Sequence, residues 1–132
     1  MKPKVTIIVP VYNTARYLES CIESLKKIDF NSYEVIFIDN HSSDGSFEIL
    51  KKIDKKNFKV YRNRQNFGQS YSLNRAINLS KSPFIAIMDS DDICLPDRIK
   101  DSYNFLIKNR KYAFVAGCSD TINEYGNILA RR

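Results

Sequence analysis

The chain has 132 residues, 43% hydrophobic and 27% charged, a size and balance that fit one domain over 1–132 with a sizeable core. No apolar run approaches the roughly 20 residues needed to cross a bilayer. The net charge of +6 is confined to one segment, where Lys51, Lys52, Lys55, Lys56, Lys59, Arg62 and Arg64 face Asp54 alone.

The first apolar run, Val5 to Val11, follows Lys2 and Lys4 much as in a signal peptide. Pro10 interrupts it, Tyr12-Asn13 ends it, and no small-residue cleavage site follows, so it reads as a strand. Thr14 starts a helix with Leu18, Cys21, Ile22 and Leu25 on one face. A second strand runs from Tyr33 to Ile38 and ends at Asp39. Asp44 is the expected N-cap of a helix with Phe47, Leu50 and Ile53 inward. Phe58 to Tyr61 reads as a third strand. The basic segment around it suits nucleic acid or an anionic membrane surface. No aromatic stacking pattern interleaves its lysines, so a solvated helix face and turn is expected, with no nucleic-acid partner.

Gly68 precedes a helix with Leu73, Ala76, Ile77 and Ser80 on one face, stopped before Pro83. Phe84 to Met88 reads as a buried fourth strand. Pro96 lies near the first turn of a helix with Ile99, Tyr103, Leu106 and Ile107 inward. A fifth strand is expected over Ala113 to Cys118. A hairpin of Asp120-Thr121-Ile122 and Ile128-Leu129-Ala130 then closes around Asn123 to Asn127. It runs into Arg131-Arg132 without a cap, as a cut through a larger protein would. Cys21, Cys94 and Cys118 lack metal-ligand spacing and are expected as small core residues in a reducing cytoplasm.

Alternating strands and helices predict an α/β fold, three layers deep, with a mostly parallel sheet. Such sheets bind ligands at the carboxyl ends of their strands. Three strand ends therefore share one crevice: Pro10, Tyr12 and Asn13; then Asp39 to Asp44; then Asp89-Ser90-Asp91-Asp92. Three carboxylates in four residues repel one another, so this cluster is either a site for Mg²⁺ or Mn²⁺ or a solvated turn that caps the next helix. Tyr12 could pack on a base and Asp39 could accept from a base imino group. No Gly-x-Gly-x-x-Gly or Walker loop exists, which favours metal-mediated phosphate binding over a glycine cradle.

Four stretches in series resemble the family-2 inverting glycosyltransferases. They are Val5-Thr6-Ile7-Ile8-Val9-Pro10-Val11-Tyr12-Asn13, the run Val35 to Ser46, Asn66 to Ile77, and Met88-Asp89-Ser90-Asp91-Asp92 with Pro96-Asp97-Arg98. The resemblance implies a GT-A fold, a nucleoside-diphosphate sugar donor (a UDP-sugar first) and Mn²⁺ or Mg²⁺. It implies that Pro10, Tyr12 and Asp39 line the nucleoside pocket, with Asp39 facing the base and the Asn66–Gly68 turn beside the nucleotide. Asp89, Ser90 and Asp91 match the Asp-x-Asp motif. Asp91 is then the principal metal ligand, Asp89 lies near the ribose or the metal, and Asp92 is a ligand or a helix cap. His41 is expected in solvent, and Arg62 and Arg64 at a diphosphate or on the surface. The implied reaction transfers the sugar with inversion to a glycan or lipid-linked acceptor, in cell-surface polysaccharide synthesis, in the cytoplasm or at the inner face of the membrane. The general base is expected beyond Arg132, so no catalytic residue is assigned within the chain. The alternative is a nucleotide-sugar-binding or assembly module without transferase activity. Pairing of two copies through an exposed strand edge is a further expectation.

Overall fold

The computed structural model describes residues 2–131; Met1 and Arg132, the latter the last residue of the expected cut, lie outside them. A four-stranded sheet is formed by β1 (Val5–Val11), β2 (Tyr33–Asp39), β3 (Phe58–Arg62) and β4 (Phe84–Ile87). Its order is β3-β2-β1-β4, and every pair is parallel. Three of the four helices, α1 (Ala15–Lys26), α2 (Ser46–Lys51) and α3 (Gln69–Leu79), lie between successive strands, and α4 (Arg98–Lys108) follows β4.

β1 and β2 are buried on both faces, which is why they read as continuous apolar runs. Side chains alternate across a strand. Ile7, Val9 and Val11 of β1 and Val35 and Phe37 of β2 therefore meet Leu18, Cys21, Ile22 and Leu25 of α1, Leu50 of α2 and Ile99 of α4. Ile8, Ile36 and Ile38 turn the other way and meet Ala76 of α3, flanked by Leu73 and Leu79. The expected three layers are present, with α1, α2 and α4 on one face and α3 on the other. On the α3 face, Thr6 Oγ1 donates to Glu34 Oε1 at 2.8 Å, and Lys59 pairs with the same carboxylate. Burial pushes Glu34 up, but Lys59 and Thr6 outweigh it and hold the carboxyl below its ordinary range.

Six local expectations are corrected. β4 is an edge strand and not a buried one: Ile85 is 38% and Ile87 52% exposed, because α3 packs over β1 and β2 and leaves that face of β4 uncovered. Ile77 is exposed, and the buried residues of α3 are Ser72 and Ala76. On α4, Ile99 is buried while Ile107 is exposed. Residues 113–118 form no strand. They are rich in β-formers, but a strand needs a paired neighbour, and among the described residues none reaches them. Phe114 and Cys118 are accordingly exposed, whereas Cys21 and Cys94 are buried. Finally, Gly45, at φ 95°, occupies the N-cap of α2 in place of Asp44. The hairpin forms as expected, with β5 (Asp120–Ile122) antiparallel to β6 (Ile128–Arg131), and Arg16 of α1 pairs with Glu124 in its turn. Among the described residues no helix is long and apolar enough to cross a membrane.

Candidate functional site

Because β1, β2 and β4 are parallel neighbours, their carboxyl ends meet at one edge. The turns after β1 and β2 are laced together there. Asn13, at φ 51°, donates its backbone N–H to Ser42 Oγ at 3.0 Å. Its own Oδ1 accepts from Ser43 N at 2.9 Å. Asp44 serves two helices at once: Oδ2 accepts from Ala15 N at 2.8 Å, at the start of α1, and Oδ1 accepts from Ser46 N at 3.0 Å, at the start of α2. Burial pushes the Asp44 carboxyl up, but the Ser46 hydroxyl, which donates to Oδ1 at 2.6 Å, and then the two backbone bonds outweigh it and hold it low. Carboxylates at helix N-termini are favourable through both bonding and the dipole. His41 is exposed in the intervening turn.

Asp39 ends β2 fully buried. Arg62 Nε approaches its Oδ2 at 3.0 Å, and Ser42 N donates to both carboxylate oxygens at 3.3 Å. Arg62 is held in turn by Ser42 O at 2.9 Å and by the ring of Phe47, 4.4 Å from the guanidinium carbon. A buried carboxylate needs this kind of compensation. The basic segment is thus partly spent inside the chain, while Lys52, Lys56 and Arg64 stay on the expected solvated face. Lys59 and Arg62 neutralise the two buried acids of β2, Lys51 pairs with Glu48, and Lys55 donates to Lys26 O at 3.2 Å.

The acidic loop after β4 is braced by α1. Ser90 is buried, with its hydroxyl 2.9 Å from Thr14 Oγ1, so the threonine at the N-cap of α1 makes no cap bond of its own. Cys94 N donates to Ser24 Oγ at 2.9 Å. Cys21 Sγ lies 3.8 Å from Asp89 O, and its thiol is pushed up to about 12 by burial and by Asp92, Cys94 and Asp91. Asp89, Asp91 and Asp92 remain exposed. Among the described residues none of them joins a salt bridge. Burial, then repulsion from Asp91 and Asp89, raises the Asp92 carboxyl, and Arg98 opposes the rise.

Between this loop and the opening of α3 lies a cleft of about 480 Å³. It brings together Pro10, Tyr12, Asn66, Gly68, Asp89, Ser90 and Asp91. Asp39 is not on its surface, nor are Arg62 and Arg64. Asn40, expected at this edge within the run Asp39 to Asp44, lines it too, as do Val11, Thr14, Gln69 and Ser72, which were not singled out for the site. Gln69 and Ser72 share one face of α3, so their three-residue spacing was a usable signal. Gly68 takes φ 85° and ψ 164°, a region open essentially to glycine alone, and so turns the chain into α3. Gln69 Nε2 reaches Asp89 Oδ1 at 3.4 Å across the cleft.

Among the described residues no three His, Cys, Asp or Glu side chains form a ready metal-ligand set. Two carboxylates on one polar cleft, with no cation paired to them, still fit Mg²⁺ or Mn²⁺. Such ions take hard oxygens, keep waters and are completed by substrate phosphates.

The profile of Glycosyl transferase family 2 matches residues 6–130. A glycosyltransferase of Methanocaldococcus jannaschii, described as uncharacterized, is 32% identical over 132 residues, covering 97% of this chain and 46% of that protein. The crystal structure of S. aureus TarS in complex with UDP-GlcNAc is similar at a TM-score of 0.75 and 32% identity, over 83% of this chain and 32% of that one. The mannosyltransferase PcManGT from Pyrobaculum calidifontis, solved with GDP-Man and Mn²⁺, gives a TM-score of 0.76 at 21% identity, over 93% of this chain and 36% of that one. This likeness bears on the fold alone, and the fold is of the GT-A type. The chain spans less than half the length of each of these proteins.

Proposed function

The chain belongs to glycosyl transferase family 2, and from that premise we propose that its cleft binds the nucleoside diphosphate of a sugar donor. The observation that carries this reading is the pairing of two unneutralised carboxylates, Asp89 and Asp91, with a wall of neutral hydrogen-bonding groups at Asn40, Asn66 and Ser72. Tyr12, half-exposed at the β1 end, offers a ring face to a base. The complex of TarS with UDP-GlcNAc favours a UDP-sugar as the donor. Asp39, buried against Arg62 and Ser42 N, would hold the turn behind the cleft and not touch the base itself.

Asp91, with Asp89, would hold Mn²⁺ or Mg²⁺. A bound ion supplies Lewis-acid stabilisation of the charge that builds on the departing diphosphate. The chain's own groups would bind and orient the donor. An acceptor hydroxyl would form the new bond to the anomeric carbon as the bond to the diphosphate breaks, with inversion, and its proton would pass to a general base. We place that base, and the acceptor site for a glycan or lipid-linked sugar, in the part of its relatives' length that this chain does not span. Action in polysaccharide synthesis, in the cytoplasm or at the inner membrane face, belongs to the same proposal.

Titration calorimetry of the chain with UDP, with and without Mn²⁺, tests the reading. Binding that strengthens at least about tenfold with Mn²⁺ is expected. Absence of binding under both conditions would overturn it.

A further inference from the structure

Three asparagines join the end of β3 to the wall of the cleft. Asn63 follows β3 and is buried. Its Nδ2 donates to Asn40 Oδ1 at 2.8 Å and to Ser72 Oγ at 3.0 Å. Its Oδ1 accepts from Arg75 Nη1 at 2.6 Å. Asn40 Nδ2 donates onward to Asn66 Oδ1 at 2.6 Å. Two backbone amides close the chain: Phe67 N donates to Asn40 Oδ1 at 3.1 Å, and Gly68 N to Asn66 Oδ1 at 2.9 Å.

The direction of this relay cannot be reversed. Backbone N–H groups and a guanidinium can only donate. Phe67 N therefore fixes the oxygen end of Asn40, Gly68 N that of Asn66, and Arg75 that of Asn63. The Oδ1 atoms of Asn40 and Asn66 each take two donors, which fills both lone pairs. Asn63 itself is not on the cleft surface, but Asn40, Asn66, Gly68 and Ser72 are. Residues 63–68 contain no helix or strand, so side-chain bonds must set the position of this wall.

We propose that Asn63 is the positioning residue of the nucleotide wall. Steadied by Arg75, it fixes Asn40 and Ser72 directly and the Asn66–Gly68 turn through Asn40. The inference rests on the nucleotide reading of the cleft. A wall ordered before the ligand arrives spares the ordering cost at binding. Loss of one member leaves partly buried amides without partners, which is where polar networks fail.

Asn63→Asp tests the idea at almost constant volume. It keeps the contact with Arg75 but sets a carboxylate oxygen against Asn40 Oδ1 and removes the donor to Ser72. Hydrogen exchange of the Phe67 and Gly68 amides should quicken about tenfold while the β1 and β2 amides hold, and UDP affinity with Mn²⁺ should fall about tenfold. Arg75 lies outside the core, so its variants keep the question answerable if Asn63→Asp folds poorly. Arg75 also donates to Arg62 O at 2.8 Å, so Arg75→Met should shift both readouts in the same direction with a modest loss of melting temperature. Arg75→Lys, which retains a donor for Asn63 Oδ1, should restore them. Unchanged exchange at both amides overturns the relay whether or not UDP binds. Faster exchange with unchanged UDP affinity overturns the positioning role. An unaltered chain that binds no UDP overturns the nucleotide reading instead, and the exchange data still decide the relay.

Discussion

β2 and β4 are written alike, as an apolar run that ends in aspartate, and both deliver that aspartate to the same edge of the sheet. Their surroundings differ. β2 sits between β1 and β3 and is buried from Glu34 to Asp39. Both of its acids are neutralised within the chain, Glu34 by Lys59 and Asp39 by Arg62. β4 has β1 as its only partner strand among the described residues. Its outward isoleucines are exposed, and the carboxylates of Asp89 and Asp91 find no cation among the described residues. A charge at the end of a central strand has no water to fall back on, so the chain must compensate it. A charge at the end of an edge strand keeps its water and can be left for a ligand to neutralise.

The sharpest break in this contrast would come from apolar truncation. Ile36→Ala in β2 should cost about 3 kcal/mol, because the site is closed on every side. Ile87→Ala in β4 should cost under about 1 kcal/mol, since half of that side chain already meets water. Urea denaturation of both variants decides the point, and equal losses would mean that β4 is covered in solution. Next in size is Arg62→Ala, which strands the buried Asp39 carboxylate. A loss of about 2 to 3 kcal/mol is expected. That is less than for a fully buried pair, because Arg62 is one-third exposed and screened. If the variant melts like the parent, Asp39 is not held as a buried ion.

The central layer was legible because burial on both faces writes an uninterrupted apolar run. β1 and β2 and the buried stripe of α1 fall where hydrophobic spacing put them. The edge was less legible for the same reason. Phe84 to Met88 is as apolar as β2, and nothing local to it says which face a helix will cover. Residues 113–118 carry strand propensity, but pairing is decided elsewhere in the chain. At the cleft, strand ends and turn motifs pointed to eight of its lining residues. Ser72, and the link from Asn40 to it, were hidden because both come from Asn63, a buried amide with no motif of its own. The seven cations of residues 51–64 looked like one surface patch. The partners of Arg62 and Lys59, the acids of β2, lie more than twenty residues away in sequence and could not be paired by inspection.

The ligand side of the contrast is tested by Asp91→Asn. The side chain keeps its shape and loses its charge, and among the described residues no cation pairs with it. Mn²⁺-dependent affinity for UDP should fall by at least about tenfold, while stability in urea stays within about 0.5 kcal/mol. Loss of stability in place of affinity would make the acidic loop a structural cap.

The smallest effects have opposite signs in the two strands. The Glu34 carboxyl lies below its ordinary value when folded. At acid pH the unfolded chain then holds a proton that the folded chain has released. The stability this supplies is complete above the ordinary carboxylate range and is lost as pH falls through the folded value. With Lys59 partly in water, the contribution is under about 1 kcal/mol. The Asp92 carboxyl lies above its ordinary value, so the folded chain keeps a proton that the unfolded chain has lost. Stability should then fall as pH rises from the ordinary range through the raised one. Glu34→Gln should therefore flatten the acid side of the stability curve, and Asp92→Asn should lift it at neutral pH relative to acid pH. Melting temperatures from pH 3 to pH 7 measure both. Shifts of the same sign would show that the acids of β2 and of the β4 loop meet the same environment.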